Sequence, residues 1–176
     1  MTAADWPSVA RIYRAGIDTG DATFEHDVPS WEEWSRARLP VPRLLARGEA
    51  AGRSDGGSRE PEPGDRAGEV RGWAALSPVS SRSVYHGVGS VSIYVDPAYA
   101  RRGIGRALLS SLVETSERAG LWTLEAGIFP ENHASVALHR ACGFELVGVR
   151  RRVGQMPDGC WRDVALYERR SRVVGA

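Results

Sequence analysis

The stretch SVSIYVDPAYARRGIGRALL, residues 90–109, joins an alternating apolar run to a turn that contains glycine, and then to a second apolar run. Its first part, residues 90–95, is rich in β-branched and aromatic residues and predicts a strand. After the turn, apolar residues return at intervals of three and four from Ile104 to Val113, which is the spacing of a helix face. The stretch therefore predicts a strand, a tight turn and a helix that begins near Gly103, the local architecture of an α/β fold.

The turn itself has the composition of an anion-binding site. Gly103 and Gly105 have no side chain, so the backbone N–H groups at the helix start can approach a ligand closely. Those unpaired N–H groups and the positive end of the helix dipole attract phosphate, and Arg101, Arg102 and Arg106 can add charge-assisted contacts. Taken alone, the bare pattern favours a structural turn with solvated arginines over an anion site. It is neither a Walker A loop nor a dinucleotide fingerprint, because it lacks the GK[ST] ending and a third glycine.

The segments before residue 70 predict two helices and a loop. Residues 3–17 carry apolar side chains at helical spacing, and in a second helix over residues 30–39 Ser30 and Glu33 form a capping box. Residues 46–69 contain only alanine as an apolar residue, together with much glycine, proline and charge. We therefore expect a flexible surface loop inserted into one domain that spans residues 1–176.

Five later segments have the composition of strands, and helical patterns interrupt them. The strand segments are residues 70–76, 90–95, 122–129, 144–153 and 160–170. A short helix is predicted between Asn132, a good N-cap, and Gly143, a good C-terminal stop. A hairpin around MPDG, residues 156–159, follows it. Together these elements predict an α/β layer structure on a mixed sheet.

Composition excludes several functional classes. The 176 residues include 23 basic and 22 acidic side chains, a net charge of +1, so no overall field attracts nucleic acid or an anionic membrane. Cys142 and Cys160 are too few for a disulfide framework and lack metal-ligand spacing. No apolar run is long enough to span a bilayer, and no signal-peptide pattern is present. We expect a cytoplasmic protein with no metal, no nucleic-acid partner and no membrane partner.

The 90–109 stretch, followed by ENHASVALHRACGF at residues 131–144, resembles the acetyl-CoA-binding core of the GNAT superfamily of N-acetyltransferases. Within it, the chain is most similar to the phosphinothricin, methionine sulfoximine and arsinothricin acetyltransferases. The similarity also covers IYRAGIDTGDATFE (12–25), SRSVYHGVGSVSIYV (81–95) and WRDVALYERRS (161–171). It implies a GNAT-type mixed, mostly antiparallel sheet flanked by helices, a homodimer, and acetyl-CoA as co-substrate. The family's first strand normally precedes TAADWPSV, so either the sheet lacks that edge strand or the chain begins upstream.

The resemblance also implies where acetyl-CoA binds. The diphosphate would lie on the turn, and the pantetheine arm would pair with the edge of the strand where two parallel strands separate. Asn132 matches the family asparagine that contacts the cofactor from the next helix. Ala100 departs from the superfamily pattern, which usually has Arg or Gln there. The implied acetyl-CoA residues are Ile93, Tyr94, Val95, Arg101, Arg102, Gly103, Ile104, Gly105, Arg106 and Asn132.

For catalysis, LHRACGF matches the family's LHE-x-x-GF, and the resemblance makes His139 a candidate acid for the departing thiolate. The backbone N–H of Val95 is a candidate donor to the oxyanion. Ser90 occupies the position of the glutamate that family members are proposed to use as base, and a serine hydroxyl cannot keep an ammonium proton at neutral pH. Ser90 could hold a relay water, or Glu25 or Glu125 could serve instead; the sequence leaves these alternatives open.

The substrate residues come from the same resemblance, because Arg82 and Tyr85 match the family's R-x-x-Y and a guanidinium can hold a carboxylate or phosphinate. The expected substrate residues are Ser80, Ser81, Arg82, Tyr85, Ser90, Val91, Ser92 and Phe24. The expected reaction is acetylation of the α-amine of a small amino-acid analogue such as phosphinothricin, methionine sulfoximine, methionine sulfone or an arsinothricin-like compound. The alternatives are a GNAT enzyme for another small amine or a peptide N-terminus, or a non-catalytic acyl-CoA-binding module, which Ser90 and Ala100 favour.

Overall fold

The computed structural model describes residues 1–48 and 67–175, and these form a twisted sheet with helices on both faces. In chain order the elements are α1 (Trp6–Ile17), α2 (Trp31–Arg36), β1 (Arg43–Arg47), β2 (Val70–Pro78), β3 (Val88–Val95), α3 (Ile104–Arg118), β4 (Thr123–Ile128), α4 (His133–Ala141), β5 (Glu145–Gln155) and β6 (Trp161–Arg170). The strands lie in the order β1-β2-β3-β4-β6-β5. Among the described strands only β3 and β4 pair in parallel, so the expected mixed, mostly antiparallel sheet is confirmed.

Alternating side chains along the strands supply two cores, one on each face of the sheet. On one face, Leu109 and Leu112 of α3 are fully buried against strand residues such as Leu76. On the other face, Trp73 of β2 is buried against Trp34 of α2 and against α1. Each buried leucine side chain stabilises the fold by roughly 1.5–3 kcal/mol. Adjacent residues of one strand therefore face opposite helical layers.

Local signals produce the predicted helices. The Ser30 hydroxyl accepts from the Glu33 backbone N–H at 3.2 Å, and the Glu33 carboxylate accepts from the Ser30 N–H at 2.9 Å, which completes the capping box. The Asn132 side-chain oxygen caps α4 by accepting from the Ser135 N–H at 3.0 Å. Gly143, with φ of +84°, ends α4 in the left-handed conformation. None of the described helices has both the length and the apolar character needed to cross a membrane.

The predicted loop over residues 46–69 is wrong at its edges. Ala46 and Arg47 belong to β1, which pairs with β2, and the backbone of Gly48 donates to the Glu69 carbonyl at 2.9 Å. The rest of that prediction, residues 49–66, lies outside the described residues. Sequence reasoning missed β1 because its five residues have no strong alternation, and pairing with β2 defines it. In the described residues no strand precedes α1, and β1 is the edge strand of the sheet on the side of β2.

Candidate active site

The two parallel strands separate part-way along their length. β3 and β4 pair only from Val88 with Thr123 to Ser90 with Glu125, and the ladder stops there. Beyond this point a cavity of about 240 Å³ opens between the strands. Its lining consists of Ala22, Thr23, Phe24, Val91, Ser92, Ile93, Tyr94, Ala126, Gly127, Ile128, Phe129, Ser135, His139 and Val164. The cavity reaches both faces of the sheet, because neighbouring strand residues point to opposite sides.

The separated half of β3 presents backbone groups to this cavity. The Asp96 N–H donates to the Arg71 carbonyl of the neighbouring chain segment at 2.8 Å, so residue 96 faces β2. Because backbone groups alternate in direction along a strand, the N–H and C=O groups of Val95 and Ile93 point away from β2 and into the gap. An extended ligand with amide groups can pair with this edge as a further strand would. The Val95 N–H is therefore directed to where an acyl oxygen bound in the gap would lie.

The first backbone N–H groups of α3 have no hydrogen-bond partner within the helix. Gly103 is its N-cap residue with φ of +80°, and no side chain in the described part of the chain caps the helix. Arg101 also has a positive φ, of 63°, which curls the preceding turn so that N–H groups face outward. The first helical hydrogen bond runs from the Ala107 N–H to the Gly103 carbonyl at 3.0 Å, so the N–H groups before it have no intrahelical partner. With Arg101, Arg102 and Arg106 exposed around it, this turn suits a diphosphate.

Buried polar and apolar contacts hold the turn in place. Asp96 is 4% exposed, and its carboxylate accepts from the Ala98 N–H at 3.0 Å and from the Arg11 guanidinium at 2.6 Å. Gly105 packs so closely that a Cβ there would lie 3.3 Å from the Leu138 side chain of α4. The turn is thus fixed between α1, β3 and α4. Sequence reasoning missed Asp96 and Arg11 because their ion pair joins distant parts of the chain.

His139 lies in the cavity wall and is 2% exposed. Its Nδ1 lies 2.8 Å from the Ser135 carbonyl oxygen, so Nδ1 carries the hydrogen and donates it. Nε2 is buried and has no hydrogen-bond partner among the described residues. Burial lowers the pKa of His139, against the opposing effect of the Ser135 hydrogen bond. The resting ring is therefore neutral, with Nε2 as an acceptor, and it can act as an acid only after it has received a proton.

A loop between α1 and α2 closes the far side of the cavity. Phe24 packs edge-on against Phe129 with ring centroids 4.8 Å apart, and a Cβ on Gly154 would lie 2.5 Å from the Phe24 ring. The loop is held by the Asn132 side-chain N–H group, which donates to the Asp21 carbonyl at 3.0 Å. Arg162 also binds the Asp21 carboxylate, at 3.0 Å. Sequence reasoning found Phe24 and Asn132 but missed Arg162, whose partners lie far from it in sequence.

The predicted site residues fall into three groups, apart from Ser90 at the last paired position of β3 and β4 and Asn132 at the start of α4, neither of which lines the cavity. Phe24, Val91, Ser92, Ile93, Tyr94 and His139 line the cavity. Arg101, Arg102, Gly103, Ile104, Gly105 and Arg106 form the turn and first residues of α3, and Val95 lies next to them, since a Cβ on Gly105 would be 3.6 Å from its side chain. Ser80, Ser81, Arg82 and Tyr85 lie in the loop between β2 and β3, and none of them lines the cavity. Their contact with substrate stays a prediction.

The two alternative carboxylates occupy different surroundings. Glu125 lies beside Ser90 at the last paired position of β3 and β4 and is half-buried. Glu25 follows Phe24 in the loop and is exposed. Within residues 1–48 and 67–175, no group of His, Cys, Asp and Glu side chains has the arrangement of a metal site.

Comparison with known proteins assigns this geometry to a family. The acetyltransferase (GNAT) family model matches residues 21–144. The chain belongs to the GNAT family of acetyltransferases. The L-methionine sulfoximine/L-methionine sulfone acetyltransferase of Pseudomonas aeruginosa is 30% identical over 170 residues, which are 94% of this chain and 88% of that protein.

Solved GNAT structures have the same fold. The crystal structure of a phosphinothricin acetyltransferase from Sinorhizobium meliloti in complex with acetyl-CoA is 32% identical, with a TM-score of 0.77, and the match covers 97% of this chain and 85% of that one. A ribosomal-protein-alanine N-acetyltransferase from Brucella melitensis is 30% identical, with a TM-score of 0.79 and 97% of both chains covered. The present GNAT chain is an acetyltransferase that uses acetyl-CoA, which supplies a reactive acetyl thioester.

Proposed function

We propose that this GNAT enzyme acetylates the α-amine of a small amino-acid analogue, with methionine sulfoximine and phosphinothricin as representative substrates. The main observation that supports this proposal is the size of the cavity between β3 and β4. Its volume of about 240 Å³ must hold both the acetyl end of the donor and the attacking amine, and Phe24 closes its far side. Pockets for drug-sized ligands are about 300–1,000 Å³, so the amine that fits here is small. Similarity over 94% of the chain to a methionine sulfoximine enzyme supports the same class.

The backbone of β3 and the start of α3 would orient the donor. The turn from Arg101 to Arg106 would hold the diphosphate, and the exposed edge at Ile93 and Val95 would pair with the amides of the pantetheine arm. This arrangement brings the acetyl carbonyl to the Val95 N–H, which would stabilise the negative charge that develops on its oxygen. Preorganised donors of this kind typically account for several kcal/mol of catalysis.

His139 would transfer the second proton of the amine. The neutral amine attacks the acetyl carbon, and its nitrogen then carries a proton that must leave. The buried Nε2 of His139 is an unsatisfied acceptor on the cavity wall and would take that proton. It would then return the proton to the thiolate as the C–S bond breaks. The acid role of His139 therefore follows a first step in which it acts as a base.

The second candidate function is acetylation of a peptide N-terminus. The Brucella melitensis relative, named as acting on ribosomal-protein alanine, has a TM-score of 0.79 to this chain and favours this alternative. A peptide would have to pass Phe24 and the loop around Asp21, which is hydrogen-bonded to Asn132. Phe24 and this loop close the far side of the cavity. We therefore rank the free amino acid above the peptide.

The test measures thiol release from acetyl-CoA with methionine sulfoximine, phosphinothricin and a short peptide that begins with alanine. Turnover of the two amino-acid analogues with little turnover of the peptide supports the proposal. Preferred turnover of the peptide replaces it with the second function. Binding of acetyl-CoA without turnover of any amine contradicts both.

We also propose that the enzyme is a homodimer that associates through β5. This strand is a sheet edge, and it exposes Leu146, Val147 and Val149, which are 47%, 61% and 47% accessible. An open edge strand with apolar side chains is the type of surface that a second copy covers. Light scattering on the purified protein should give twice the chain mass, and Val147→Lys should convert it to the monomer.

A further inference from the structure

Glu125 occupies the point at which the two parallel strands separate. It is the last β4 residue that pairs with β3, and its partner there is Ser90. On its other side it lies opposite Glu168 of β6, and Glu168 in turn lies opposite Glu145 of β5. Residues directly opposite each other in a sheet share a face. One row across the sheet therefore contains a serine followed by three carboxylates, and Glu125 is the carboxylate nearest to the gap.

Ser90 and Glu125 do not line the cavity but lie next to it in the strands. Ser92 and Gly127, two residues beyond Ser90 and Glu125, point to the same face and line the cavity. Gly127 has no side chain of its own, and the neighbouring cavity wall is the Val164 side chain of β6, 3.1 Å from where a Gly127 Cβ would lie. Neighbouring strands are about 4.8 Å apart, a distance that the longer glutamate side chain spans. A water on the Ser90 hydroxyl would thus contact both the Glu125 carboxylate and an amine in the cavity.

The surroundings of Glu125 also suit a proton acceptor. Burial, and secondarily the negative charge of Glu168, raise the pKa of Glu125, while Arg150 of β5 opposes them. A carboxylate accepts protons more effectively as its pKa approaches the working pH. Glu25, the other carboxylate near the cavity, is exposed on an irregular loop. Its negative charge adds to the effect of burial in raising the pKa of Tyr13 and Tyr94.

We propose that Glu125, acting through a water held by Ser90, accepts the proton that the substrate ammonium group must lose before it attacks acetyl-CoA. This inference rests on the proposed function. One N–H bond of the ammonium breaks and its proton passes to the water, which gives a proton to the carboxylate. The nitrogen lone pair then forms the N–C bond while the carbonyl π electrons move to oxygen, and the C–S bond breaks when those electrons return. The second nitrogen proton goes to the thiolate, and Glu125 releases its proton to solvent.

The experiment compares kcat/KM for methionine sulfoximine in Glu125→Gln and in the matched control Glu145→Gln, which removes a carboxylate from the same row at the outer strand. Loss of a general base lowers rates by roughly 10²–10⁴-fold, so we expect Glu125→Gln to fall by at least about 10²-fold. The affinity for acetyl-CoA, measured by calorimetry, should not change. Glu145→Gln should behave as wild type. The double variant Ser90→Glu with Glu125→Gln should recover much of the activity, because it returns a carboxylate to the neighbouring strand.

The pH profile provides a readout that a purely structural role would not change. Activity should rise with pH as Glu125 loses its proton. Glu168→Gln removes a like charge and should move this acidic limb to lower pH, whereas Arg150→Gln removes an opposite charge and should move it to higher pH. These two variants keep Glu125 itself, so they apply even where Glu125→Gln does not fold.

The outcomes separate the two proposals. An active wild type whose kcat/KM is unchanged in Glu125→Gln, or whose acidic limb is unmoved in Glu168→Gln and Arg150→Gln, overturns the role of Glu125. A large loss in Glu25→Gln with none in Glu125→Gln assigns the base to the loop and also overturns it. A wild type that turns over no amine overturns the proposed function first, and the role of Glu125 with it.

Discussion

Two glycines at opposite ends of α3 allow the diphosphate site to be tested with an internal control. Gly103 precedes the helix with φ of +80°, and Gly120 follows it with φ of +85°. At both positions a Cβ would meet no atom within 4 Å. Alanine at either position therefore introduces the same left-handed strain without a clash. That strain amounts to about 1–2 kcal/mol for a residue with a side chain.

Stability should fall equally in the two variants. For a chain of this length, a loss of about 1–2 kcal/mol lowers Tm by roughly 2–8 °C. Only Gly103→Ala places a methyl group where the open N–H groups of α3 would meet the diphosphate. Loss of one hydrogen bond to a charged group is worth about 1.5–3 kcal/mol. We therefore expect Gly103→Ala to weaken coenzyme A binding by roughly 10- to 100-fold.

The assay combines chemical unfolding with calorimetric titration of coenzyme A at a temperature where both variants are folded. Pantetheine, which lacks the diphosphate, serves as a second ligand and should not distinguish them. Gly120→Ala should bind coenzyme A as the wild type does. Equal Kd values for Gly103→Ala and Gly120→Ala would refute the placement of the diphosphate at the start of α3.

Three further predictions concern the cavity and its titratable groups. Burial holds the pKa of His139 below its unfolded value, so its contribution to stability is present above about pH 6.5 and is lost as pH falls. The free energy of unfolding should therefore decline as pH falls below about 6.5 in wild type, and less steeply in His139→Gln. Equal slopes in the two proteins would contradict the burial of a neutral His139. Phe24→Ala removes the ring that packs on Phe129, so kcat/KM for bulkier amines should rise relative to methionine sulfoximine, and an unchanged ratio would show that Phe24 does not limit substrate size. Because burial raises the pKa of Glu125, its contribution to stability declines as pH rises above the pKa that it has in the unfolded chain. Glu125→Gln should therefore unfold at a higher temperature than wild type at mildly alkaline pH, and the difference should disappear in acid. A variant less stable than wild type in alkali would contradict the raised pKa.

Sequence reasoning predicted the elements whose determinants are local. The capping box at Ser30 and Glu33, the N-cap at Asn132 and the stop at Gly143 each depend on residues within one helical turn, and each appears in the structure. The strand, turn and helix over residues 90–109 were predicted for the same reason. β1 was missed because pairing with β2, across the segment that includes residues 49–66, defines it.

The candidate site shows the same division. Sequence similarity indicated His139 as a proton-transfer residue, but only its hydrogen bond to the Ser135 carbonyl shows that Nε2 is the acceptor. Likewise, Glu25 and Glu125 were equivalent alternatives to Ser90 in the sequence. The register of β3 against β4 distinguishes them, because it sets Glu125 beside Ser90.

The sequence by itself determined the helices and the turn at the start of α3, because backbone conformation and capping depend on neighbouring residues. Its resemblance to the GNAT superfamily indicated an acetyltransferase. Only the tertiary structure decided where β3 and β4 separate, which loop closes the cavity and which carboxylate lies opposite Ser90. These features depend on strand register and on contacts such as Arg162 with Asp21, which join residues distant along the chain. No spacing in the sequence encodes such contacts, since they form only when the sheet has assembled.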